Sequence, residues 1–277
     1  MTSSPARRAA ALLLSLSSML LATAPARAAA PTVQLEDLSW TELRERIAAG
    51  STTALVPVGG TEQNGPHMVL GKHNVRVRWL AARIAQQLGD AVVAPVLAYV
   101  PEGRIKPPAG HMRWPGTLSI PEPAFEAVLA GAARSLQAHG FCHVFFLGDH
   151  GGYKASLERV AAALNREGAA GSRCRAHALG EYYHASQADF EALLKSRGHA
   201  AAEIGPHAGL ADTSLALAVD PSLVRMEVAR ARPRGRVDDG VAGDPRAATA
   251  ELGRLGIDHI VEVSVAAIRQ RRLDTKP

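Results

Sequence analysis

Aromatic residues are scarce, 4% of 277 positions, and cysteine occurs only twice. The first shortage removes the stacking platform that a single-strand nucleic-acid binder needs. The second excludes a cysteine-rich metal module, and no C-x-x-C pair is present. Also absent are a G-x-S-x-G nucleophile turn, a phosphate-cradling P-loop and a G-x-G-x-x-G turn after a strand. After the first 28 residues no apolar run is long enough to cross a bilayer. The net charge of +5 includes Arg7, Arg8 and Arg27 with no acid before Ala29, so a chain starting there carries +5 − 3 = +2. No basic stripe then remains to bind nucleic acid or an anionic membrane.

What remains is globular. Hydrophobic residues make up 47% and charged residues 21%, enough for one domain with a buried core. Residues 1–28 read as a secretory signal peptide. Arg7-Arg8 opens it, an apolar stretch follows to about Ala24, and Pro25-Ala26-Arg27-Ala28 places small residues before the cut. Cleavage after Ala28 leaves a single domain, 29–277, in the periplasm or secreted, with no membrane partner. An exported chain permits a bridge between Cys142 and Cys174 if their strands are neighbours. Two buried thiols is the favoured reading.

Apolar runs at 53–58, 91–97, 143–147 and 174–179 alternate with amphipathic stretches at 39–49, 74–88, 122–138 and 154–164. The end of the chain, 245–271, reads as helical. Unbroken apolar strands between helices predict an α/β fold with a mostly parallel sheet covered on both faces. Ligands of such sheets sit at the carboxyl ends of the strands. That rule selects residues 62–73, 98–117 and 148–153, which hold Glu62, His67, His73, His111, Asp149 and His150. Carboxylate and imidazole together are the ligand set of Zn²⁺, Fe²⁺ or Mn²⁺. The competing reading is that strand-end histidines bond loop backbone.

At these positions the sequence resembles one family. Gly59-Gly60-Thr61-Glu62-Gln63-Asn64-Gly65-Pro66-His67 is similar to the G-x-x-E-Q-H-G-P-H signature of creatininases, the creatinine amidohydrolase-like family. Gly148-Asp149-His150-Gly151-Gly152 resembles its N-G-H-G-G turn. His207-Ala208-Gly209 with Asp212-Thr213-Ser214 resembles H-A-G-x-x-E-T-S, and His111 to Thr117 resembles its H-x-x-F-P-G-T loop. The resemblance implies a three-layer α/β/α sandwich, a metal-dependent hydrolase of C–N bonds in small cyclic amides or formamides, and a homo-oligomer, often a hexamer.

The departures reshape that expectation. Asn64 stands where the family has a ligand His, His73 where it has a bridging Asp, and Asp212 where it has Glu. Gly152 stands where creatininases proper carry a further Glu, which argues against creatinine itself. A neutral imidazole cannot join two cations as a carboxylate can. The expectation is therefore one divalent ion per chain, zinc first, held by Glu62, His73 and His150. Asp212 is expected as general base or outer ligand and His207 as acid or carbonyl-polarising donor, on a helix starting near His207. Asn64, His67, His111 and Asp149 are further metal or substrate candidates, with His111 reaching in from a neighbouring subunit. Tyr182 and Tyr183 are read as packing or as a lid. A catalytically weakened binding relative and a lactonase are the alternative functions.

Overall fold

The computed structural model describes residues 32–168, 172–233 and 238–274. The signal peptide expected at 1–28 and its expected cleavage point lie outside the described residues. Helix α1 (Trp40–Ala48) starts at Ser39, whose side chain accepts from Glu42 N–H while Glu42 takes the Ser39 N–H, a capping box. Strand β1 (Thr53–Val58) follows and is buried throughout. Helix α2 (Lys72–Leu88), strand β2 (Ala91–Val93), helix α3 (Glu122–Ala138), strand β3 (His143–Gly148), helix α4 (Lys154–Glu167) and strand β4 (Arg175–Ala178) complete the alternating part. Then come α5 (Gly180–His184), α6 (Phe190–Ser196), α7 (Ala201–Ile204), α8 (Leu210–Val219), α9 (Met226–Ala231) and α10 (Ala250–Leu273).

The sheet runs β2-β1-β3-β4 and every pairing is parallel. Thr53 aligns with Ala91 and His143, and Val58 with Gly148. Alternate residues of a strand face opposite sides. Leu55, Phe145 and Leu147 therefore pack with Val77, Leu80 and Ile84 of α2, Leu215 of α8 and Ile257 and Ile260 of α10. Val56, Val58, Val144 and Phe146 pack with Phe125 and Leu129 of α3 and Leu157 and Val160 of α4. Each such side chain, wholly removed from water, contributes about 1.5–3 kcal/mol. Two apolar layers on one sheet make the three-layer α/β/α arrangement. Helix α10 lies against α8 at Gly253, where a Cβ would sit 1.9 Å from Ser214 O.

Several boundaries differ from the sequence reading. Strand β2 stops at Val93: Ala94 N–H still bonds Leu55 O, but the next bond to β1 runs from Leu97 N–H to Pro57 O, with one extra residue on the β2 side. Leu97 keeps a single bridge to Val58. Helix α10 begins at Ala250, capped by Thr249, and not at 245. Helix α8 begins at Leu210, after Ala208 in the left-handed region (φ 54°), so His207 precedes the helix rather than starting it. The two cysteines are bridged, not free: Cys142 and Cys174 enter neighbouring strands, and Arg175 N–H bonds Cys142 O at 2.8 Å. That pairing brings the sulfurs together.

Candidate functional site

One tyrosine ties the ends of β1 and β3 together. Tyr153, 1% exposed, donates its hydroxyl to Val58 O at 2.7 Å and accepts from the N–H groups of Asp149 and His150 at 3.1 and 3.0 Å. Asp149 N–H and Val58 O also bond each other at 3.0 Å, the last rung between the strands, and the phenol adds a partner for His150 N–H just beyond it. The anchored ends carry Glu62 and His150 into one space.

Glu62 is the centre of that space and has no exposed surface. Four imidazoles surround it. His73 Nε2 lies 2.8 Å and His207 Nδ1 3.8 Å from Oε1; His111 Nε2 lies 3.3 Å and His150 Nε2 3.6 Å from Oε2. Glu62 Oε2 is buried without a hydrogen bond. Glu62, His111 and His150 offer ligand atoms that all lie within 4.8 Å of one another, a set able to hold a metal ion. Glu62, His73 and His150 are thus in one neighbourhood, as the sequence reading requires, but the group that closes has His111 in place of His73. Both nitrogens of His73 face carboxylates: Nε2 faces Glu62 and Nδ1 lies 2.6 Å from Asp149 Oδ2. His111 reaches the site within its own chain, where Gln63 orients it from 2.8 Å at Nδ1. No neighbouring subunit is needed to bring it there.

Behind Glu62 lies a buried ionic network. Arg76, with no exposed surface, bonds Asp149 through Nε at 2.9 Å and Asp212 through Nη1 at 2.9 Å. Lys72, equally buried, places Nζ 2.8 Å from Asp212 Oδ2. Ala208 N–H also donates to Asp212 Oδ2. Tyr182 is buried packing and not a lid; its hydroxyl donates to Asp149 Oδ1 at 2.7 Å. Tyr183 lines the small recess beside His73, Asp149 and His150.

The remaining candidates turn elsewhere. Asn64 donates to the carbonyls of Glu62 and Val69 and so shapes the loop. His67 bonds Thr213 Oγ1 through Nε2 at 3.0 Å, inside the protein. Lys72, Arg76, Glu102 and Tyr153 were not singled out from the sequence. Lys72 and Arg76 carried a signal, since i and i+4 share the helix face that also holds the buried Val77 and Leu80. Glu102 carried only its place in the 98–117 segment after the second strand, where no period tells which way a side chain turns. Its carboxylate is buried at 4% exposure, with both oxygens unbonded, and Oε2 lies 3.5 Å from His150 Nδ1.

Burial sets the charges. It pushes His150 and His207 down to about 4 and lowers His111, so these rings are neutral near pH 7 and offer lone pairs. Burial would raise Glu62, but the His73 hydrogen bond and the surrounding positive groups outweigh it and hold Glu62 well below the usual carboxylate range. Glu102 is pushed up to about 9 by burial and by the Glu62 carboxylate beside it. Burial also opposes ionisation of Asp212, yet Lys72 and Arg76 hold it well below its ordinary value. An open cleft of about 1260 Å³ meets the site at Gln63, His111 and His207 and has Arg113, Trp114 and Arg232 on its walls.

Fold and site together define a class: α/β enzymes whose carboxylate and imidazoles gather at the carboxyl ends of a parallel sheet. Residues 36–268 match the family described as Creatininase: Creatinine amidohydrolase. The chain belongs to the creatininase family of metal-dependent amidohydrolases. It is 31% identical over 205 residues to the mycofactocin precursor peptide peptidase of Mycolicibacterium smegmatis, covering 72% of this chain and 77% of that protein. It is 26% identical over 257 residues to the creatinine amidohydrolase of Pseudomonas putida, covering 86% of this chain and 97% of that protein. A solved mutant creatininase of Zn-Zn type superposes with a TM-score of 0.70 at 25% identity, covering 90% of this chain and 100% of that chain.

Proposed function

We propose that this chain is an exported amidohydrolase that works with one divalent ion, zinc first, held by Glu62, His111 and His150. The observation that carries the reading is the unbonded, buried Glu62 Oε2 with two neutral imidazoles 3.3 and 3.6 Å away. That oxygen has no hydrogen bond, and when the two facing imidazole nitrogens carry their lone pairs a cation is the partner that chemistry supplies. A second ion is disfavoured by three features. Asn64 is turned to backbone, both nitrogens of His73 are engaged, and Lys72 and Arg76 already place two fixed positive charges behind the site.

An ion bound there supplies a water that loses its proton near neutral pH and an electrophile for the substrate carbonyl. The chain's own residues do the rest. His207 Nε2 lies 3.0 Å from Gln63 O, an acceptor, and 3.1 Å from Gln63 Nε2, a donor; in the tautomer that bonds the carbonyl, Nδ1 carries the lone pair. Nδ1 faces Glu62, and the ring lines the cleft. His207 is placed to take a proton from the attacking water and return it to the departing nitrogen. Asp212 does not serve as base in this reading, because both of its oxygens are paired with buried cations. His73 joins Asp149 to Glu62 and fixes the carboxylate's direction.

The substrate is proposed to be an amide, with the small cyclic amides and formamides of the sequence reading as first members. The cleft favours something larger as well, since pockets for drug-sized ligands span about 300–1,000 Å³. The peptidase name of the Mycolicibacterium smegmatis relative points the same way. The disulfide supports an oxidising, extracytoplasmic location. Exposed Leu70, Tyr99, Ile105 and Leu118 support a homo-oligomer, for which a hexamer is proposed from the family resemblance. Metal analysis of the purified chain tests the centre. One equivalent per chain supports the proposal, two at full occupancy overturn the single-ion form, and none after supply of zinc, iron and manganese overturns it altogether. A panel of lactams, formamides, short peptides and lactones separates the amidase from a lactonase, and no turnover on any of them leaves the binding relative.

A further inference from the structure

Counting the buried charges leaves a remainder. Lys72 and Arg76 are matched by Asp212 and Asp149. Glu62 and Glu102 remain, two buried acids; Glu62 faces His73 Nε2 at 2.8 Å, while Glu102 has no Lys or Arg against it among the described residues. Three of their four oxygens have no hydrogen bond. The fold makes room for the second acid. Gly60, at φ +155°, passes so close that a Cβ would lie 2.4 Å from Glu102 Oε1. A Cβ on Gly152 would lie 3.0 Å from the His150 ring and 3.5 Å from the carbonyl of Pro101, the residue that precedes Glu102.

The geometry points to Glu102 as a positioning residue of the ion site: its carboxyl group stands behind His150 at Nδ1 and directs that ring. This rests on the proposed ion site at Glu62 and His150. Metal ligation through Nε2 requires the ring proton on Nδ1. Two groups face that nitrogen: Gly152 N–H at 3.2 Å, a donor, and Glu102 Oε2 at 3.5 Å, an acceptor. Gly152 matches a ring whose proton is on Nε2. Glu102 matches the ring that binds an ion. A carboxylate behind a ligating histidine fixes its tautomer and raises its basicity, and loss of such a partner costs about 10–100-fold in metal affinity.

The test is zinc affinity, measured by competition with a chromophoric chelator, for the full chain and for Glu102→Gln. Gln keeps the shape and can still bond Glu62, but it is a weaker acceptor for the His150 Nδ1 proton than a carboxyl group partnered to a ligating imidazole. The expected result is zinc binding weakened about 10–100-fold in Glu102→Gln, with the metal-free melting temperature unchanged. Glu102→Asp, which keeps the carboxyl group but draws it back by one methylene, is expected between the two. Equal affinity of wild type and Glu102→Gln overturns the role of Glu102 and leaves the ion site standing. Absence of zinc binding in the wild type overturns both. Should Glu102→Gln not fold, a zinc-loaded wild-type crystal decides. Glu102 in hydrogen-bond contact with His150 Nδ1 supports the inference, and Nδ1 left to Gly152 alone overturns it.

Discussion

Lys72 Nζ lies 2.8 Å from Asp212 Oδ2, and the lysine has no exposed surface. Arg76 holds the other oxygen of the same carboxylate. Removing that charge leaves two cations inside the protein. Asp212→Asn is therefore expected to cost about 3–5 kcal/mol of stability, read by chemical denaturation. Asp212's folded pKa is depressed, so its contribution is present above the ordinary carboxylate range and is lost as pH falls through the folded value. A variant of unchanged stability and abolished turnover would return Asp212 to the role of base.

His207→Asn is expected to keep the metal content and lower kcat by about 10²–10⁴-fold. Turnover equal to wild type in a metal-replete sample removes His207 from proton transfer.

The two flanking imidazoles part company on metal content. His111→Ala is expected to lose the ion after dialysis, because it takes one corner of the only three-ligand group found among the described residues. His73→Ala is expected to retain it with lower affinity, since its loss frees Glu62 Oε1 and Asp149 Oδ2 together. The opposite ranking in elemental analysis restores the triad of Glu62, His73 and His150.

The bridge between Cys142 and Cys174 spans 32 residues. Closing a loop of that length stabilises by roughly 3–4 kcal/mol on the chain-entropy account. Cys142→Ser with Cys174→Ser is expected to lower the denaturation midpoint accordingly while leaving metal content intact.

His177 supplies a pH test away from the site. Burial pushes it down to about 4 from 6.5. Its ring stacks on Phe145 at 4.4 Å, with Nε2 buried and unbonded. The unfolded chain binds a proton there below about pH 6.5 and the folded one does not, so stability falls as pH drops from 6.5 toward 4. His177→Phe keeps the stack and is expected to flatten that slope. Melting temperatures at pH 4.5 and 7 that shift in parallel for both proteins would exclude it.

Much of this molecule was legible before folding. The strands at 53–58 and 143–147 and the helix at 122–138 were placed to within a residue, because apolar periodicity is a local property of the chain. Glu62 and His150 followed from the strand-end rule, since both come directly after strands. The third member did not follow. His111 lies in a 20-residue stretch rich in glycine and proline, where no period tells which way a side chain turns. Asp212 was misjudged for a related reason. Its type and place suggest a base, but Lys72 and Arg76, 140 and 136 positions earlier, take both of its oxygens.

The order of apolar runs, by itself, determined a parallel sheet between helix layers and the strand ends at which chemistry collects, because backbone hydrogen bonding and burial act over neighbouring residues. Only the tertiary structure decided which imidazoles surround Glu62, that Glu102 stands behind His150, and that the cysteines meet. Those contacts join segments far apart in the chain, and their distances depend on strand order and loop path, which no local pattern encodes.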